Sequence, residues 1–460
     1  MLKNSKTGLV LLISFSILSC ANLSTKDDVK STINSSLPDI PDNWHSLKID
    51  GEFENDFIDQ FNDPILENLV NEALSSNNDL LSAAANVERS KALAEQAGAS
   101  LKPMVNLAFG GTRSGGVESN TPKQTSLNAN LQVQWELDLW GRVRSGAKTA
   151  YASYQAVEAD YQYAKHSIAA NVAKAYFSTL EAAKQETLLL STLANLNKTS
   201  QIVNLQYKNG LASSQDVSLV KTDLANIQEQ LETLKASKRQ GLRALEILVG
   251  RYPSAEIDIA NKLPVIPPFP NSGIPSELLE RRPDIVAVER RVAAAFYALD
   301  QAKAAQLPTI SLTSGVGGTS SELSNVLKPE NLAWQLASNL LAPLFDGGLR
   351  ESQVNAANAD QKAAIAAYTQ TVLTAFSEVE NSLDSGISLQ NRLMLLEEAK
   401  KESNNALRVA ELNYNEGEIA LLDVLTIQQR VTAAESSLVS VYRSLLEQRI
   451  NIFLALGGEW

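Results

Sequence analysis

Leu127-Asn-Ala-Asn-Leu-Gln-Val-Gln-Trp-Glu-Leu-Asp-Leu139 decides the fold of this chain: every odd position is apolar and every even position polar. Successive side chains of a strand point to opposite faces, so the stretch predicts a strand with one oily and one wet face. It is longer than the usual soluble strand and long enough for a tilted membrane crossing. Upstream, Val105, Leu107 and Phe109 alternate with Asn106, Ala108 and Gly110, and a Gly-, Ser- and Thr-rich loop (111–126) joins the two into a hairpin. A second, less regular hairpin carries Ile310, Leu312 and Val316, then Leu332, Trp334, Leu336 and Leu340. Trp135, Trp140 and Trp334 lie in or beside these strands, where interfacial aromatics belong. A soluble sandwich packed on helices is the competing reading. Four strands cannot close around a pore, yet a bilayer tolerates no open sheet edge. Strands that span lipid must therefore be pooled by several copies of the chain. The polar face (Asn128, Asn130, Gln132, Gln134 and Glu136) would line the shared lumen.

The second hairpin belongs to a second copy of a larger unit, with residues 78–250 recurring at 284–457. Gln96 and Pro103 answer Gln301 and Pro308 at a shift of 205, and the Trp140–Arg144 run answers Asp346–Arg350 at 206. Tyr207, Gly210, Asp216, Val217 and Gly250 answer Tyr414, Gly417, Asp423, Val424 and Gly457 at 207. Around Ala175 and Ala375 the shift is 200, one heptad short, which a coiled-coil helix absorbs without turning its apolar seam away. Residues 141–208 lack proline and predict a helix of about 100 Å. A second helix over 213–249 carries a seam of Val217, Val220, Leu224, Ile227, Leu231 and Leu234. The copy repeats both, over 347–414 and onward from Val424. Each pair folds back at Gly210 or Gly417, where glycine supplies the left-handed residue that ends a helix. Seams alone fit any helical bundle or filament.

The first nineteen residues carry Lys3, Lys6 and a short apolar run, and read as a secretory signal. Ile17-Leu18-Ser19-Cys20 resembles a bacterial lipobox, which would make Cys20 a fatty-acylated, palmitate-bearing mature N-terminus. Ala21 in place of an aspartate favours the outer membrane. Cys20 is the only cysteine, so no disulfide forms within the chain. Removing the signal takes the net charge from −12 to −14, which argues against nucleic acid as a partner. His45 and His166 sit in unrelated contexts, and neither a metal-ligand spacing, a phosphate loop nor a nucleophile elbow is present. Gly315-Val-Gly-Gly precedes no helix. The chain reads as a non-enzyme without catalytic residues, metal or cofactor.

Glu277-Leu-Leu-Glu-Arg-Arg-Pro-Asp-Ile285, Leu307-Pro-Thr-Ile-Ser-Leu-Thr313, Pro343-Leu-Phe-Asp-Gly-Gly348 and the terminal Ala455-Leu-Gly-Gly-Glu-Trp460 resemble the outer-membrane channel proteins of bacterial tripartite efflux pumps. The chain is similar to their lipoprotein (NodT-type) branch, of the TolC-like outer-membrane factors found with resistance-nodulation-division transporters. The resemblance implies a mainly α protein with a membrane β-barrel portion, in which three copies give twelve strands and a twelve-helix periplasmic tunnel. It implies an outer-membrane, lipid-anchored homotrimer reaching into the periplasm, with an adaptor (membrane-fusion) protein and an inner-membrane transporter as partners. Its role would be a passive efflux duct for small molecules. The exit channel of a type I secretion system and a soluble periplasmic coiled-coil scaffold are the alternatives. The organisation expected is a signal (1–19), a lipidated extended segment (20–60), a first repeat (61–262), a Pro-rich linker (263–276) and a second repeat (277–460).

By the same resemblance the tunnel narrows at the helix breaks after Gly210 and Gly417. Ile419 and Asp423 would form stacked apolar and carboxylate rings there, one helical turn apart on one face. The residue-level alternative for Asp423 is a solvated acid at a helix N-terminus. Some relatives carry arginine where Ile419 stands, so closure here is expected to be apolar and partner-dependent, not salt-bridged. A tyrosine–aspartate link between hairpins maps onto Tyr414 and Asp216, for which packing or capping are the other readings. The three methionines give no support to a copper relay, and cargo is not legible.

Overall fold

The computed structural model describes residues 23–47, 57–117, 123–271 and 273–458. The signal segment, Cys20 and Trp460 lie outside the described residues. In chain order the elements are helices α1 (Lys26–Ser36), α2 (Pro64–Ser76) and α3 (Asn78–Ala99), strands β1 (Met104–Ser114) and β2 (Gln124–Leu137), and helices α4 (Arg142–Lys208) and α5 (Ser214–Leu248). The order then recurs with the one-turn α6 (Leu278–Arg281), α7 (Pro283–Ala304), β3 (Thr309–Ser320), β4 (Leu332–Leu341), α8 (Leu349–Asn415) and α9 (Leu421–Ala455). Helices α4 and α8 each run 67 residues, and α5 and α9 each run 35. No helix among the described residues is long and apolar enough to cross a membrane.

Two compact units emerge, and both draw on both sequence repeats. One comprises Met1–Pro38, Asn86–Ala159 and Ala287–Thr371; the other comprises Asp39–Ala85, Asp160–Val286 and Val372–Trp460. The first holds a four-stranded antiparallel sheet in the order β1-β2-β3-β4. Its register sorts the residue types by face. Leu107, Leu131, Val316 and Trp334 fall in one row across all four strands. The next row, on the opposite face, holds Asn106, Gln132, Gly315 and Gln335. The alternation legible in β2 alone thus extends over the whole sheet. Among the described residues nothing covers the apolar face along β1 and β4, where Phe109 is 71% exposed and Trp334 79%. Both edge strands are exposed along their full length and lack an outer partner among the described residues.

Two sequence expectations change in this unit. The 20–60 segment is not extended throughout, because Thr25 and Asp28 form a reciprocal capping box that starts α1, and Val29 and Ile33 are buried. Strand β2 ends at Leu137 rather than Leu139. The Asp138 carboxylate accepts from the N–H groups of Val143 (2.9 Å) and Arg144 (2.9 Å) and so opens α4.

The second unit is built on a core of Phe61, Leu66, Tyr176, Phe177, Leu245, Leu446 and Phe453, all nearly or fully inaccessible. Most polar groups drawn into this interior are matched; among the described residues, Arg449 Nη1 is buried without a hydrogen-bond partner. The Tyr176 hydroxyl donates to Asp63 (2.7 Å) and accepts from the Ala260 N–H (3.3 Å). The buried Arg282 of the Glu-Arg-Arg-Pro-Asp-Ile motif donates to Asp284 (2.7 Å), Glu378 (2.6 Å) and the Ala455 carbonyl (3.2 Å). Glu246, 2% exposed, accepts from the backbone N–H groups of Ala255, Glu256 and Ile257 and from the Ser254 hydroxyl. The Pro-rich 263–271 stretch runs as an irregular strap. Tyr442 donates to the Pro264 carbonyl (3.1 Å) and Arg449 to that of Pro267 (2.8 Å), and the Arg449 guanidinium stacks 3.7 Å above Phe269. Burial pushes the Arg449 guanidinium down to about 10.

Candidate functional site

The two helix breaks are built alike. At the end of α4, the Leu211 N–H donates to the Gln206 carbonyl (2.8 Å) and the Gly210 N–H to that of Tyr207 (3.1 Å). At the end of α8, Glu418 donates to Asn413 (2.9 Å) and Gly417 to Tyr414 (3.0 Å). Both are Schellman closures, and both need their glycine, at φ +75° and +80°. Nothing lies within 4 Å of where a Cβ would stand on either glycine, so the backbone conformation alone demands the residue type.

The helices that follow are capped differently, and one expectation changes: Ile419 and Asp423 do not share a helix face. Before α5, Ser213 is the N-cap: its hydroxyl donates to Asp216 Oδ2 (2.7 Å) and accepts from the Asp216 N–H (3.2 Å). The Ser213 N–H also donates to that carboxylate (2.8 Å). Asp216 is thus engaged in its own helix start and makes no hydrogen bond to Tyr414 among the described residues, although burial first and then its nearby charge raise the Tyr414 hydroxyl above its ordinary value. The Tyr414 hydroxyl donates instead to Gln206 Oε1 (2.8 Å). Asp423 is the repeat equivalent of Asp216. Ala420 replaces the capping serine, and its N–H donates to Asp423 Oδ2 (3.2 Å). Helix α9 begins at Leu421, so Ile419 precedes it and does not share a helix face with Asp423. Asp423 is exposed and Ile419 half-buried. The capping signature Ser-x-x-Asp was readable in the sequence at Asp216, whereas Ala420-Leu-Leu-Asp423 carries no capping hydroxyl.

Behind the breaks, Leu196, Val203, Val220, Leu421 and Leu425 bury one another and join the two hairpins, with Val217, Leu224 and Ile227 packed against them. Gln429 reaches Asp223 at 3.4 Å, and burial, partly offset by that contact, raises the Asp223 carboxyl above its usual range. Beyond this cluster a cleft of about 650 Å³ separates α4 from α5 and α9, lined in part by Gln185, Asn226, Gln230 and Gln428. Leu189, Leu196, Ile227 and Leu425 also line it, and the buried Gln185 amide donates across to the Ser436 carbonyl (2.9 Å) of α9. Gln206, Asp223 and Gln429 escaped the sequence reading, since polar residues on a long helix carry no pattern that marks them as contacts.

On the sheet, Asn128, Asn130, Gln132 and Gln134 share the polar face, as their alternation predicts. Glu136 shares it too but is paired with Arg142 at 2.6 Å, so it presents an ion pair rather than a free carboxylate. The expected lipid anchor at Cys20 lies outside the described residues.

Comparison with known proteins places this arrangement. A family model described as outer membrane efflux protein matches residues 69–251 and 274–458. The toluene efflux pump outer membrane protein TtgF of Pseudomonas putida is 30% identical over 409 residues, covering 87% of this chain and 84% of its own. The probable outer membrane lipoprotein SilC of Salmonella typhimurium is 27% identical over 403 residues, covering 87% of each. Among solved structures, the outer-membrane channel OprN matches with a TM-score of 0.87 and 28% identity, over 92% of this chain and 98% of that one.

Proposed function

The chain belongs to the outer membrane efflux protein family, and from that premise we propose how it forms its channel. It is an outer-membrane channel of a tripartite efflux system. Three copies pool their sheets so that β4 of one pairs with β1 of the next, giving twelve strands. The observation that supports this best is the pair of bare edges on a sheet whose apolar face is exposed along both edge strands and, at Leu131 and Val316, between them. In water such edges and such a face are a liability, whereas in a closed ring within lipid both are satisfied. The long hairpins form the periplasmic duct, and the chain is anchored to the outer membrane through Cys20. A periplasmic adaptor and an inner-membrane transporter of the resistance-nodulation-division type deliver small molecules to it and supply the energy.

The duct narrows at the breaks beside Gly210 and Gly417. Under three-fold symmetry, Ile419 forms an apolar ring at each loop and Asp423 a carboxylate ring one turn into α9. An apolar ring can shut a pore by dewetting, and a carboxylate ring favours cations. Closure holds until an adaptor seats against the tip and spreads the hairpins. Planar-bilayer recordings of the purified channel test this. Ile419→Ala and Asp423→Ala should each raise conductance, while Asp423→Asn, which keeps an acceptor for the Ala420 N–H, should chiefly weaken cation preference. Unchanged conductance in both alanine variants would remove these two residues from the gate.

A further inference from the structure

The loop between β3 and β4 (321–331) is folded back onto one face of the sheet. Two 3-10 turns, Leu323–Asn325 and Pro329–Asn331, give it a fixed form. The Asn325 side-chain amide donates to the Glu322 carboxylate (2.8 Å), and that of Asn331 to the Asn325 carbonyl (2.7 Å). Along the backbone, the Lys328 N–H donates to the Asn325 carbonyl (3.1 Å) and the Asn331 N–H to that of Lys328 (2.9 Å). Val326, in the middle of the loop, is 2% exposed. Its carbonyl occupies the place where a side chain on Gly318 would stand, and the Asn331 carbonyl lies 3.2 Å from the same point. Glycine in β3 is what lets the loop come so near.

The register identifies the face. Gly318 pairs with Ala129 on one side and Leu332 on the other, and Ala129 pairs with Phe109. This row stands two residues along from Leu131 and Val316, so it belongs to the apolar face. Ala129 is 5% exposed while Phe109 is open to its surroundings, so the loop covers the middle of the row and leaves its β1 edge bare. Having buried Val326, the loop turns Leu323 and Leu327 outward, 76% and 67% exposed. In water, two such leucines held out by a rigid loop would gain nothing; beside hydrocarbon they add to the surface that lipid wets.

Strand β1 supplies a depth scale on the same face. Toward the end of the sheet away from the helices, Leu107 is followed by Phe109 and then by Arg113, all exposed. Apolar, aromatic and cationic residues in that order mark the passage from hydrocarbon through the interface to the headgroups. The loop lies on Phe109's row and carries a cation of its own, Lys328, directly after Leu327. Neither Arg113 nor Lys328 has an ion-pair partner among the described residues.

We propose that the β3–β4 loop is seated in the outer leaflet beside the barrel, with Leu323 and Leu327 among the acyl chains and Lys328 and Arg113 against lipid phosphate. The occupant is a phosphate-bearing lipid of the leaflet at the end of the strands away from the helices. This rests on the reading of the strands as membrane-spanning. Long cationic side chains reach from an apolar surface to the headgroups, so leucines and cations on one loop are satisfied together only at that boundary.

The test uses the full-length mature trimer reconstituted into vesicles of phosphatidylethanolamine and phosphatidylglycerol. Nitroxides are placed on Leu323→Cys, Leu327→Cys, Glu330→Cys and Leu131→Cys, and the parent chain taken through the same labelling supplies the background from Cys20. Collision of each label with oxygen, which concentrates in lipid, is compared with collision with a water-soluble nickel chelate. The oxygen-to-chelate ratio at Leu323 and Leu327 should exceed that at Glu330 several-fold and approach that at Leu131. A high ratio at Leu131 with chelate-accessible labels at Leu323 and Leu327 overturns the proposal and leaves the membrane-spanning strands intact. A chelate-accessible label at Leu131 overturns the membrane reading itself. Native mass measurement of the extracted trimer checks the headgroup contacts. Lys328→Glu and Arg113→Glu should each lower the phosphatidylglycerol retained, and undiminished retention in both would remove the two cations from the site.

Discussion

Glu246 shows how much a single side chain organises. Its burial is the largest single influence and opposes ionisation. Together, however, the N–H groups of Ala255, Glu256 and Ile257 and the Ser254 hydroxyl outweigh it, and hold the carboxyl below its ordinary value of 4.5. Ala255 sits at φ +65°, a conformation an alanine adopts only when its surroundings impose it. Glu246→Gln is expected to lose about 2 kcal/mol, since it leaves donors facing a poorer acceptor. The sign of the pH dependence follows from the lowered folded pKa. The carboxylate's contribution is complete above the unfolded value of 4.5 and disappears as pH falls through the lower folded value. Melts of detergent-solubilised wild type and Glu246→Gln should therefore differ at neutral pH and converge in acid. A gap that widened on acidification would contradict this. No sequence pattern announced the role. Glu246 stands alone in the apolar run Ala244-Leu-Glu-Ile-Leu-Val249, and its partners lie in a loop without periodicity, so nothing marks which groups it meets. The tip glycines were legible, because a left-handed helix end restricts residue choice locally. Asp216 and Asp423 were legible as acids at a helix start, but a short-range cap and a long-range ring both favour an aspartate at the same place, so the sequence left both readings open.

At the scale of elements, legibility tracks periodicity. The thirteen-residue alternation at 127–139 located β2 to within a few residues at each end, and the proline-free runs located α4 and α8 almost to their termini. Helix α1 was missed because eleven residues with mean polar character look like a linker until their cap and two buried side chains are seen. The registers of β2 on β3 and of β3 on β4 were not legible, since pairing is a property of two distant segments. The face assignment yields a sharp contrast between neighbours. Leu131→Lys places a charge on the face that meets lipid and should cost about 2–4 kcal/mol if it stands near the bilayer midplane. Gln132→Lys, one residue along, points to the other face and should be tolerated. Trimer recovered from outer membranes measures both. Equal recovery of the two variants, or the reverse order, would show that the faces are assigned wrongly.

For the whole molecule, the internal repeat carried most of the meaning, since a unit written twice with both outer strands bare describes a part of a ring. The sequence halves and the two compact units are nonetheless different divisions, because each unit takes strands or helices from both repeats. Repeat detection follows the chain and cannot foresee how its two copies interleave in space. The central claim is that the four strands are one share of a barrel closed between copies. Mass measurement of the mature chain purified in detergent, with detergent then withdrawn, tests it most directly. The account expects a trimer that survives in detergent, conducts ions in a planar bilayer and precipitates when detergent is removed. A monodisperse, soluble monomer in plain buffer would contradict it.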